Sequence, residues 1–196
     1  MKLNFPIRLV LLVALLGAYS VGLAEDASPS PLPGMPAMPG PTKEHAWLQQ
    51  FAGEWESEAE LVMAPGQPPM VVKGTQAARM VGGFWVMELG QGDFPGMGPV
   101  STVLTIGYDA ARQKFVGTWI DSTNDRLWHY EGGLDPSGKK LVLETEGPSP
   151  TDPAKTARYR DETEFPSADH RILRSSIQGD DGAWVVMLTA HYRRKS

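Results

Sequence analysis

KFVGTWIDSTNDRLWHYEGGLDPSGKKLVLETEGP, residues 114–148, holds three short runs of aromatic and β-branched residues broken by turn signals. Lys114 to Asp121, Arg126 to Leu134 and Lys139 to Glu146 each have strand length, and Asp135-Pro136-Ser137-Gly138 is a turn sequence between the last two. The same spacing continues on both sides. Upstream runs are Glu54 to Met63, Met70 to Val81, Phe84 to Gln91 and Thr102 to Tyr108; downstream runs are Thr156 to Phe165, Arg171 to Gln178 and Trp184 to Arg194. Gly82-Gly83 and Gly179-Asp180-Asp181-Gly182 mark further turns. About ten strands in sequence order predict an all-β fold, a single antiparallel up-and-down β-barrel, because closure removes the exposed edges of a long meander.

Alternation within these strands bears on the interior. One face of 114–120 carries Phe115, Gly117 and Trp119, the other Val116, Thr118 and Ile120; in 126–131, Trp128 and Tyr130 oppose Leu127, His129 and Glu131. Neither face is purely polar. That pattern suits a small barrel with a partly wet lumen, and a barrel filled by its own side chains is the alternative. The loops Ala64–Pro69 and Asp93–Pro99, rich in Pro and Gly, are expected as flaps at one rim.

Ahead of the barrel, Thr42 is placed to cap a short helix running to Phe51 and ended by Gly53, with Glu44 in its first turn. Trp47, Leu48 and Phe51 form one apolar stripe, a plug for one end of the barrel. Residues 25–41, EDASPSPLPGMPAMPGP, are too poor in large apolar side chains to fold and read as a disordered linker. Met35 and Met38 there offer soft metal ligands, though a plain spacer accounts for them. Residues 1–24 have the layout of a secretory signal, with Lys2 and Arg8 before the apolar Leu9–Leu16 and small residues Gly22 and Ala24 at the cleavage point. The expected division is therefore signal peptide 1–24, linker 25–41 and barrel domain 42–196, in a periplasmic or secreted setting with no membrane insertion of the mature chain.

Composition narrows the chemistry. There are no cysteines, so disulfides, thiolate metal sites and covalent haem attachment are excluded. Removing Lys2 and Arg8 takes the formal net charge from -5 to -7, which disfavours nucleic acid or an anionic membrane as partner. No Gly-x-Ser-x-Gly occurs, and the Gly90–Gly98 segment lacks the lysine of a phosphate-binding loop.

Two clusters remain as candidates. His129, Asp121 and Glu146 could act as acid-base groups if they share the lumen, for a hydrolysis or isomerisation; solvated cross-strand charge pairs on the outer face are the favoured account of them. Arg158 and Arg160 share one face of their strand and could clamp a carboxylate or phosphate, or form a surface ladder with glutamates. Trp85, Trp119 and Trp128 could supply flat apolar walls. The expected partner is a small apolar or amphipathic molecule bound in the lumen, with the enzyme and a filled-barrel interaction module in the envelope as alternatives. No metal site is expected.

Gly53-Glu54-Trp55, following a helix and opening the first strand, resembles the signature of the calycin group, which includes lipocalins, fatty-acid-binding proteins and nitrobindin-like barrels. The resemblance implies a basic residue of the last strand, Arg193 or Arg194, stacked on Trp55, and an interior arginine for acidic ligands. The blocks HAWLQQFAGEW (45–55), VGGFW (81–85), KFVGTWIDS (114–122), LWHYEGGLD (127–135), EGPSPTDPAKTARYRD (146–161) and TAHYR (189–193) resemble those of a bacterial family catalogued as domain of unknown function 1579. That family has no established activity, and the resemblance implies a calycin-like barrel in a bacterial exported setting. The stretch Glu146-Gly147-Pro148-Ser149 resembles its best-kept segment and is expected near any site. From the nitrobindin side comes a haem reading, with a last-strand histidine as ligand; His191 is the only one there, yet the family position falls nearer Met187, so no cofactor is expected.

Overall fold

The computed structural model describes residues 39–62, 66–152 and 154–195. The leader, linker residues 25–38, Met63 at the end of the first expected strand and residues 64–65 of the first expected flap lie outside them. Helix α1, Lys43–Leu48, runs into a 3-10 turn, Gln49–Phe51. Ten strands follow: β1 Gly53–Leu61, β2 Met70–Val81, β3 Trp85–Phe94, β4 Gly98–Asp109, β5 Lys114–Asp121, β6 Trp128–Leu134, β7 Lys140–Pro148, β8 Thr156–Ser167, β9 His170–Gln178 and β10 Trp184–Arg194. Every strand pairs antiparallel with its sequence neighbours, and β1 pairs with β10 from Trp55↔Arg194 to Leu61↔Leu188, closing the barrel. Residues 93–99 form no long flap. β3 and β4 extend to pair Phe94 with Gly98, because backbone pairing outweighs the low strand propensity of the glycines, and only a tight turn is left.

The meander gives the barrel two unlike ends. Alternate turns, including 82–84, 135–139 and 168–169, share an end with α1; the others form the opposite mouth. At the α1 end the chain entry is fixed by hydrogen bonds. The Thr42 N–H donates to His45 Nδ1 at 2.9 Å, and Trp47 Nε1 donates to the Gly138 carbonyl at 3.1 Å, tying the helix to the β6–β7 turn. Leu48 and Phe51 are buried in a cluster with Ala78, Val86, Ile106, Phe115, Tyr130, Leu141 and Leu143. Trp47 and Phe51 meet Phe165 edge-on at centroid distances of 5.7 and 5.2 Å. The expected plug is thus present as the packed floor of the barrel.

Gly53 turns the chain from floor to wall. Its φ of +130° favours glycine, and a Cβ there would run into the Arg194 guanidinium. Arg194 lies 4.2 Å from the Trp55 ring centroid and donates from Nη1 to the Ala52 carbonyl (2.6 Å) and from Nη2 to the Gln50 carbonyl (3.3 Å). Trp55 Nε1 donates to the Phe51 carbonyl at 2.8 Å. One arginine therefore caps the carbonyls at the end of the helical segment and stacks on the first-strand tryptophan. The stacking residue is Arg194; Arg193, opposite Glu56 in the β1–β10 register, projects outward, since adjacent strand residues face opposite ways.

Candidate functional site

Which residues face inward follows from period two. Ser57 and Ala59 on β1 line the lumen, leaving Glu54, Glu56, Glu58 and Glu60 on the outer face, where Glu58 meets Lys73 at 3.4 Å. The lumen encloses a cavity of about 380 Å³, within the size range of small-molecule sites, about 300–1,000 Å³. Its floor is Phe51, Ile106 and the base of the barrel; Phe94, Val100 and Met187 stand toward the mouth. Trp119 and Trp128, paired across β5 and β6, both line it, and Trp128 meets Tyr159 edge-on at 5.2 Å. The Trp128 ring lies across Gly147, where a Cβ would collide with it. The expected site-proximal stretch 146–149 therefore contributes by having no side chain at that position.

Polar groups in the wall are tied to one another. Glu88 on β3 and Arg171 on β9 form a buried, two-pronged pair, with Nη1 and Nη2 donating to the two carboxylate oxygens at 2.6 and 3.2 Å. The guanidinium lies 3.8 Å from the Tyr192 ring centroid and 5.1 and 5.3 Å from those of Phe51 and Trp55. Tyr130 Oη donates to Asp161 Oδ2 at 2.8 Å. Burial, opposed by hydrogen bonds from Ser175 and Tyr130, pushes the Asp161 carboxyl above its ordinary value. Burial likewise pushes the Tyr192 hydroxyl up to about 12, despite the opposing charge of Arg171. Gln76 donates through Nε2 to Ser57 Oγ at 3.1 Å, while its Oε1 and the Trp128 Nε1 are buried without partners.

The residues singled out from sequence divide by side. Trp119 and Trp128 face the lumen. Trp85 lies outside, 43% exposed, at the register position opposite Gly107. Arg158 and Arg160 also lie outside, because Tyr159 and Asp161 take the inward positions of β8; both arginines bond Glu144, and Arg160 sits 4.0 Å from the Trp184 ring centroid. They form the surface ladder, and a clamp inside the barrel cannot be built from them. His129 and Glu146 share an open outer groove with Glu131, Glu144 and Arg158, whereas Asp121 binds Thr123 and Asn124 in the turn after β5. That triad is neither assembled nor in the lumen: parity puts His129 and Glu146 outside, and Asp121, although it shares the parity of Trp119, ends β5 and is held in the turn beyond the cavity.

Metal and haem are tested by the donors present. Among the described residues no group of three or more His, Cys, Asp or Glu could hold a metal ion. His45 packs between Phe84 and Tyr108 at the helix, and His191 stacks on His170 with Nε2 of His170 3.0 Å from Nδ1 of His191, on the outer face beside Arg193. With His129 also outside, no histidine faces the cavity. Met187 does, at a bulge in β10. The donor set does not fit a histidine-ligated haem.

Comparison with known proteins now places the fold. A family model described as "Protein of unknown function (DUF1579)" matches residues 40–194. The chain belongs to this family. No curated protein matches. Among solved structures, Rv2717c from M. tuberculosis is 14% identical with a TM-score of 0.55, over 80% of this chain and 99% of that one. The S-type phycobiliprotein lyase CPES from Guillardia theta is 16% identical with a TM-score of 0.51, over 78% and 93%. Both solved structures share the overall fold of this chain over nearly their whole length.

Glu88, Arg171 and Asp161 are the residues that sequence reasoning missed. On β3 the apolar side chains Met87 and Leu89 alternate with Glu88, so simple alternation turns Glu88 outward; Leu89 is in fact 51% exposed. The usable signal was on β8, where Tyr159, Asp161, Thr163 and Phe165 share one parity and the ladder of Arg and Glu the other.

Proposed function

We propose that the mature protein is an exported carrier or receptor that holds a small apolar or amphipathic molecule in the barrel lumen without transforming it. The observation that supports this is the lumen cavity, open toward one mouth and walled largely by apolar and aromatic side chains, above a close-packed floor. Export rests on the leader-like residues 1–24. The charged outer face, with four glutamates along β1, is unlike the apolar band of a lipid-spanning barrel and favours an aqueous setting for the mature chain.

Purification of the mature chain from its native envelope, followed by denaturing mass spectrometry and an absorption spectrum, tests the reading. A stoichiometric small molecule supports it. An empty protein whose melting temperature no lipid or aromatic ligand raises would sink it.

A second reading is an envelope interaction module. Val62, Met97, Ile120, Leu127 and Val185 are exposed around the mouth, where a protein partner could cover them. Co-purification of one stoichiometric protein with an empty barrel would favour that reading.

A further inference from the structure

The lumen contains an arginine, yet that arginine has no open fork to offer. A carboxylate-binding barrel needs a guanidinium whose paired N–H groups point at free space, because the planar fork grips both oxygens of one acid. Here both terminal nitrogens of Arg171 are held by Glu88, and Tyr192, Phe51 and Trp55 surround the guanidinium. Its Nε, buried without a partner, leaves a single N–H in place of a pair. The other acidic group in the lumen, Asp161, accepts the Tyr130 hydroxyl. Each charge-bearing group on the cavity wall therefore already has a protein partner among the described residues. The cations Arg158 and Arg160 are outside, bound to Glu144.

From this arrangement we infer that the lumen selects an uncharged ligand, because Glu88 occupies the Arg171 fork that an acidic head group would need. The inference rests on the lumen-binding reading above and specifies its ligand class. An anion entering this cavity loses its hydration and finds no open counter-charge; a cation finds only Asp161, which already accepts from Tyr130 and which burial holds toward its neutral form. A neutral molecule has neither cost. Hydroxyl, ester or carbonyl groups on such a ligand would meet the wall's own neutral polar groups, Ser57, Thr102 and Thr145.

The test uses matched probes of one chain length on the mature protein: 1-dodecanol, methyl dodecanoate, dodecanoate and dodecylammonium. Affinity is read by calorimetry and by displacement of a neutral environment-sensitive dye. At neutral pH the alcohol and ester should bind at least tenfold tighter than either ion. Equal or tighter binding of dodecanoate would overturn the inference while leaving lumen binding intact, and tighter binding of dodecylammonium would do the same by making Asp161 a counter-ion. If the dye and all four probes fail to bind, the lumen-binding reading falls and takes this one with it.

Two variants sharpen the result. Glu88→Gln frees the Arg171 fork, so dodecanoate should gain about tenfold in affinity and raise the melting temperature of the variant more than dodecanol does. No gain in a folded Glu88→Gln protein counts against the inference. Should that variant not fold, Arg158→Leu, on the outer face, serves: all four probe affinities should stay within about twofold of the parent, and a loss of dodecanoate binding alone would show a guanidinium open to the acid and overturn the inference.

Discussion

The two ends of the barrel are built on opposite principles. At the helix end, Leu48, Phe51, Trp55, Ile106 and Phe115 are almost completely buried, and the Glu88–Arg171 pair is locked among aromatic rings. Toward the mouth the same strands surround a cavity and leave large apolar side chains at the rim in water. One end lowers the energy of the fold through dense contact, and the other forgoes that contact to keep a space. Substitutions at the two ends should accordingly separate stability from binding.

The largest effect is expected at the closed end. Glu88→Ala leaves a buried guanidinium without its carboxylate and should cost about 3–5 kcal/mol in urea denaturation, whereas Glu88→Met combined with Arg171→Leu should recover most of that loss. A cost below about 1 kcal/mol for the single change would remove the pair from the structural core of the closed end. At the open end, Gly147→Val should push the Trp128 indole into the lumen, at an overpacking cost of about 1–3 kcal/mol. Affinity for a lumen ligand should fall at least tenfold, and unchanged affinity would place the ligand elsewhere.

A smaller effect comes from Asp161. Its carboxyl is raised in the folded state, so folding favours the protonated form. The associated stability is present in full below the ordinary aspartate range and is lost as pH rises through the higher folded value. Urea midpoints followed upward from acid should show a decline that Asp161→Asn flattens. Identical profiles for parent and variant would contradict the assignment. Smallest of all, Arg158→Leu and Arg160→Leu should each change stability by about 0–1 kcal/mol and leave lumen affinity unchanged, since both make partly exposed pairs with Glu144 on the outer face. A large loss of affinity in either would return the clamp to consideration.

Much of the fold is legible from local sequence. The turn at Asp135–Gly138, the Gly-x-Trp after a capped helix and the ten strand runs are local signals, and they predict nearly the observed boundaries. The inward facing of Trp128 and Tyr130 is within reach because on β6 they alternate with His129 and Glu131, whereas on β5 Asp121 shares the face of Phe115 and Trp119 and the pattern gives no such signal. The candidate site is legible only in part. Glu88 sits between two apolar residues, so its own strand argues for the wrong side, and nothing local connects it to Arg171, 83 positions away.

Strand count, turns, plug helix and family are properties of the amino-acid sequence alone, because each depends on residues close together in the chain. Only the folded barrel decides that Arg194 stacks on Trp55, that Arg158 and Arg160 lie outside, and that Glu88 neutralises Arg171 within the lumen. A strand's face and a charge's partner are set by register across the closed sheet, a long-range property that no single strand encodes.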